Sequence, residues 1–120
     1  MPTYTDGFVI PVPKRKLEAY RKMAQLAAQV WKEHGALDYK ECVLEDSKVM
    51  CGPGFPKGTK LKRGETVVFA WIVYKSRKHR DQVNARVMKD ERLAAACDPK
   101  NPPFDMQRML HGGFETIVEW

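Results

Sequence analysis

Ten consecutive residues, Glu65 to Tyr74 (ETVVFAWIVY), limit what this chain can become more than any other stretch. β-Branched and aromatic side chains crowd the run, so a strand is expected. Val67, Phe69, Trp71 and Val73 fall on one face of it, and Val68, Ala70, Ile72 and Tyr74 on the other. A strand that is apolar on both faces has to be covered on both. Helices of the same chain can cover one side. The second side needs further chain, a partner subunit or a ligand. Ser76 ends the run and is suited to cap a helix, because its side chain accepts from the free amides of a first turn.

The rest of the chain supplies the covering. Tyr4 to Val12 alternates as a strand, with Phe8, Ile10 and Val12 on one face and Val9 on the other; Pro11 and Pro13 end it. Leu17, Tyr20, Ala24, Ala27 and Trp31 then repeat at three and four, which predicts a helix from Lys14 to His34, closed by Gly35. Leu37 to Glu45 is a second strand, with Leu37, Tyr39 and Val43 on one face and Glu41 interrupting it. Asp46 to Gly64 is a basic, Gly- and Pro-rich connection, long enough that disorder is the simplest expectation. A second helix is expected from Ser76 to about Ala96, and Pro99, Pro102 and Pro103 bar its continuation. Phe114, Thr116, Val118 and Trp120 alternate with Glu115, Ile117 and Glu119 as a last strand, and Met106 to Leu110 is a candidate extension bent at Gly112-Gly113.

The order β-α-β-β-α-β predicts one α+β domain over residues 1–120, with a ferredoxin-like, four-stranded antiparallel sheet and two helices on one face. The opposite face would be bare. Each large apolar side chain left in water there forgoes about 1.5–3 kcal/mol of burial. A homodimer with the two sheets face to face, a dimeric α+β barrel, removes that cost.

Four stretches carry a resemblance: DGFVIPVPK, EHGALDYKEC, GETVVFAWIVYKSRKHRDQVNARVMKD and PFDMQRMLHGGFE. Through them the chain resembles, over nearly its whole length, the YbaA-like bacterial family, domain of unknown function 1428. The resemblance implies a ferredoxin-like fold of the dimeric α+β barrel superfamily and no established activity. Ala70, Glu91, Met106 and His111 stand where the family pattern has a serine, a proline, a glycine and a tyrosine. A role carried by that tyrosine hydroxyl does not transfer to this chain.

The net charge of +6 raises the question of nucleic acid. The basic residues sit apart, at Lys14 to Lys16, Lys57 to Arg63 and Lys75 to Arg80. Such scattered charge reads as solvated surface, so nucleic acid is an unlikely partner. An RNA-binding or structural module using the sheet face remains an alternative, although GETVVFAW lacks the basic-glycine-aromatic pattern that stacks bases. Cys42, Cys51 and Cys97 have no paired spacing and read as reduced. The N-terminus alternates like a strand, no run reaches the roughly 20 apolar residues of a membrane span, and a cytoplasmic protein is expected.

No motif for a nucleophile, phosphate loop or zinc site is present, and His34, His79 and His111 are not in metal-ligand spacing. Neither metal nor cofactor is expected. The anomaly is the start of the second helix, where Arg77, Lys78, His79 and Arg80 crowd the positive end of the dipole. One reading is solvated side chains paired with acids such as Glu65, Glu115 or Glu119. The other is a small organic or anionic ligand held by His79, Arg80 and Asn84, the last two one turn apart. Arg108, preceded by Asp105, is a further candidate, or an internal salt bridge at the edge of the last strand.

Trp71 is the remaining candidate. Dimeric α+β barrels include cofactor-independent monooxygenases, isomerases and haem-degrading enzymes, the last using a strand tryptophan, a helix histidine and an asparagine. Trp71 and His79 fall in corresponding elements, but Asp6 is the nearest polar residue to the asparagine and the spacing differs. The reading of the residues is a small homodimer, with any ligand between the sheet and its helices and an enzyme of the monooxygenase or isomerase type as the alternative.

Overall fold

The computed structural model describes residues 2–120. The ten-residue run is a strand over its whole length, Glu65–Tyr74, here β3. It pairs antiparallel with β1, Tyr4–Pro13, and with β2, Asp38–Val43. The last strand, β4, Leu110–Glu115, pairs antiparallel with β1, so the sheet order is β2-β3-β1-β4. The sheet is the four-stranded antiparallel sheet expected of a ferredoxin-like chain.

One face of this sheet is the core. Val68, Ala70, Ile72 and Tyr74 are buried there, and from β1 Ile10 and Val12 join them. Helix α1, Leu17–Glu33, lays Tyr20, Ala24, Ala27 and Val30 on that face, entering through a short 3-10 turn at Lys14–Lys16. Helix α3, Arg77–Met88, adds Val83 and Val87. Ser76 caps α3 as its position predicts, accepting from the His79 amide at 3.1 Å.

The structure departs from the sequence reading in three places. The second helix does not run to Ala96: it stops at Met88, and α4, Glu91–Ala96, restarts after Asp90, whose side chain accepts from the Arg92 amide. The break puts Glu91, the position where the resemblance implies proline, at the first helical residue, where proline is favoured. The last strand lies earlier than the alternation proposed, ending at Glu115, and Met106–Arg108 is a separate 3-10 turn capped by Asp105. Strand alternation fixes which residues share a face, while hydrogen-bonded neighbours decide where a strand stops, and β4 runs out of β1 beside Tyr4. Third, the long connection carries one helical turn, α2, Phe55–Gly58. That turn sets Phe55 edge-on against Phe69, with ring centroids 6.2 Å apart.

The glycines of β4 differ in what surrounds them. A Cβ on Gly113 would run into the Tyr4 ring, whose carbons stand 2.7 and 2.8 Å away, while one on Gly112 would meet the Phe114 ring at 3.9 Å. Gly113→Ala is therefore expected to lower stability by about 1–3 kcal/mol through overpacking. Gly112→Ala should be neutral or stabilising by up to about 1 kcal/mol, because alanine loses less entropy on joining a strand. Urea unfolding of both variants checks the contrast, and equal losses would refute it.

Candidate functional site

Helix α3 turns two of its polar side chains toward the sheet. Arg80 and Asn84 lie one turn apart and face the same cluster, formed by Asp6 from β1, Tyr74 at the end of β3 and Trp31 from α1. Arg80 Nη1 is 3.0 Å from Asp6 Oδ1, and the guanidinium lies 5.0 Å over the Tyr4 ring. Its Nε is 2.9 Å from Asp81 Oδ1 but is not aligned for a hydrogen bond, and it is buried without another acceptor. Asn84 Oδ1 accepts from Trp31 Nε1 at 3.1 Å and from the Tyr74 hydroxyl at 3.2 Å.

Asp6 is 7% exposed and, among the described residues, is the one charged residue within the buried core. Burial raises its pKa above the ordinary carboxylate value, and the opposing pull of Arg80 only partly offsets that. Burial and the nearby Asp6 also raise the Tyr74 phenol. His79 stands at the edge of the cluster, edge-on to the Tyr74 ring at 6.1 Å, with Nδ1 accepting from the Lys75 amide at 3.0 Å. Burial, then Lys75 and Arg86, lowers its pKa, so the imidazole is neutral at neutral pH. The guanidinium that the sequence offered to an external anion is thus engaged by an internal carboxylate.

The five candidate residues fall in three places. Trp71 lies across the sheet from this cluster, on the open face, with Nε1 3.3 Å from Asp38 Oδ2 and Lys40 Nζ 5.9 Å from its ring centroid. Arg108 is at the other end of the strands, bound to Glu65 Oε2 at 2.5 Å and to the Lys60 carbonyl at 3.1 Å. The hydrogen bond from Arg108 holds the Glu65 pKa below its ordinary value. Asp105 caps the adjacent turn, so the partner of Arg108 is not its sequence neighbour.

Sequence reasoning missed two carboxylates. Asp6 shares the β1 face of Phe8, Ile10 and Val12, and an acid on an apolar stripe was the available signal. Glu41 interrupts the Tyr39 and Val43 face for a similar reason. Tyr20 donates to one of its oxygens and Tyr39 to the other, the latter at 2.6 Å. Both phenols are pushed up, by burial first and by Glu41 next.

The open face carries an apolar concavity; a second, polar one lies between His34, Arg86, Asp90 and Arg92. Thr5, Val9, Phe69, Trp71, Leu110 and Phe114 line a trough of about 650 Å³. Phe69 is 42% exposed, Leu110 56% and Phe114 60%, an unusual amount of large apolar surface on one sheet face. Under the helices, by contrast, Ile10, Val12, Tyr20, Ala24 and Val68 pack against one another, so the apolar concavity lies on the face opposite the one expected for a ligand. Among the described residues, no group of three or more His, Cys, Asp or Glu side chains is placed to hold a metal. No described helix is long and apolar enough to cross a membrane.

These strands and helices define a ferredoxin-like α+β protein. A crystal structure of a dimeric ferredoxin-like protein from an uncultured marine organism superposes over 100% of both chains with a TM-score of 0.62, at 12% identity. The chain belongs to the family described as Protein of unknown function (DUF1428), whose model matches residues 3–106. It is 42% identical over 116 residues to the uncharacterized protein YbaA of Escherichia coli K12, covering 97% of each chain. The match to the YbaA protein of Shigella flexneri has the same identity and coverage.

The buried pair makes a signed prediction. Arg80→Gln leaves Asp6 charged and unpaired and is expected to destabilise by about 1–3 kcal/mol at neutral pH. Asp6→Asn removes the charge that burial penalises and should cost less. Because the folded-state pKa of Asp6 is raised, its ionisation opposes folding as pH rises from the ordinary carboxylate range through the raised value. The deficit of Arg80→Gln should therefore shrink on acidification toward pH ~4. Chemical unfolding at the two pH values measures this, and a neutral Arg80→Gln variant would contradict the buried pairing.

Proposed function

We propose that the protein works as a homodimer that joins its two open sheet faces and takes a small apolar organic molecule in the aromatic-lined space between them. The observation that carries this reading is the trough itself, walled by Val9, Phe69, Trp71, Leu110 and Phe114. Its volume of about 650 Å³ and its apolar lining with few polar groups suit a small-molecule chamber. The Trp71–Asp38 pair stands beside it on the same face and offers a hydrogen-bonding handle. The dimeric state of the marine ferredoxin-like protein, which shares the fold, supports the assembly. Cys42, Cys51 and Cys97 are free and exposed, which suits a reducing, cytoplasmic setting.

Three candidate residues, His79, Arg80 and Asn84, act in this reading as the internal support of α3, Trp71 contacts the ligand, and Arg108 ties the 3-10 turn before β4 to the start of β3. Sedimentation at micromolar concentration should give twice the 13.8 kDa chain mass. Phe69→Glu should yield a folded monomer, whereas Ile72→Glu, at a position 4% exposed in the core, should yield no stable fold. The fluorescent probe 1-anilinonaphthalene-8-sulfonate and a panel of aromatic acids should raise the melting temperature of the wild type by mass action. A monomeric wild type would sink the dimer; a dimer whose melting is unmoved by every compound would sink the ligand chamber alone.

A further inference from the structure

The strand pattern at the end of the sequence is left without a sheet. Thr116, Val118 and Trp120 continue the alternation of Phe114, separated by Glu115, Ile117 and Glu119, yet β4 stops at Glu115. One main-chain bond follows, Thr116 N to the Thr3 carbonyl at 3.1 Å, beside a 2.7 Å contact between the two threonine hydroxyls. Beyond it Ile117, Val118 and Trp120 are 92%, 86% and 115% exposed. Such an alternating apolar segment is suited to lie as a half-buried strand. Because β4 runs antiparallel to β1 and Glu115 lies opposite Tyr4, the segment leaves at the end of the sheet, heading away from Val9 and Leu110. To double back it would need a turn, and Thr116 to Trp120 contains neither glycine, proline, asparagine nor aspartate.

We infer that in the homodimer residues 116–120 of each copy cross to the second copy and close its trough, with Val118 and Trp120 laid against Phe69 and Trp71 of the partner subunit. This rests on the face-to-face dimer proposed above and makes each chamber incomplete without the other chain. The chemistry of the two surfaces agrees. The trough is apolar and aromatic, with room for an indole and an isopropyl group. The Phe114 ring already leans over the trough, within 3.2 Å of where a Cβ on Gly7 would stand, so the segment continues an apolar surface already on that face.

Disulfide trapping tests this in chains with Cys42, Cys51 and Cys97 replaced by serine. One chain carries Val118→Cys and the other Val9→Cys; a control pairs Val118→Cys with Lys22→Cys, an exposed position on α1. The mixed disulfide between Val118→Cys and Val9→Cys is expected at about ten times the control yield when the two chains are mixed at micromolar concentration. A single chain carrying both cysteines that closes on itself as a monomer would overturn the inference. Deleting residues 117–120 should weaken dimerisation about tenfold and reduce uptake of 1-anilinonaphthalene-8-sulfonate, with cooperative unfolding retained. Sedimentation separates the two failures. A dimer with only control-level cross-linking, or one unaffected by the deletion, overturns the crossing alone, and a monomer overturns the dimer with it.

Discussion

β3 carries large apolar side chains on both faces, and most of the molecule answers that fact. Being apolar on both faces, it occupies an interior position of the sheet, between β1 and β2. Val68, Ala70, Ile72 and Tyr74 draw α1 and α3 onto one side. Phe69, Trp71 and Val73 leave the other side apolar with no helix of the core over it; α2 sets Phe55 edge-on against Phe69. A helical layer on one side and an apolar trough on the other follow from one alternating run.

Polar residues inside the helical layer set how α3 sits. A helix that opens on Arg77, Lys78, His79 and Arg80 works against its own dipole. The side chain of Ser76 satisfies the His79 amide, and the buried Asp6 carboxylate draws Arg80 inward over Tyr4. Asn84 is held by Trp31 and Tyr74, so α1, α3 and β3 are fastened together by one set of hydrogen bonds. Glu41 does the same between α1 and β2 through Tyr20 and Tyr39. Buried networks of this kind favour one arrangement of the elements over others, because each alternative leaves a charge or donor unpaired.

The positions where the resemblance implied other residues have definite local settings. His111 stacks on Phe8, with ring centroids 6.1 Å apart and an interplanar angle of 10°, so the imidazole makes an aromatic contact where the resemblance implies tyrosine. Ala70 is 5% exposed in the helical layer, where a methyl group packs without the hydrogen-bond partner a serine hydroxyl requires. Met106 opens the 3-10 turn before β4 and is exposed, so a side chain is accommodated there.

The amino-acid sequence by itself determined the four strands, the two main helices, their order and the face each of their residues occupies. These are local properties: a two-residue or 3.6-residue period is legible within ten positions, as in β3 and α1, and Ser76 marks a helix start by its own chemistry. Which acid meets which base was not local. Asp6 and Arg80 are 74 positions apart, and Glu65 and Arg108 are 43 apart. Nearer acids, Asp105 among them, looked equally suitable until the strand register was known. The break between α3 and α4, the end of β4 and the place of Phe55 against Phe69 were also settled by neighbours across space. Tertiary structure decided these because a charge is stabilised only by what stands beside it, and a strand continues only while another strand offers it hydrogen bonds.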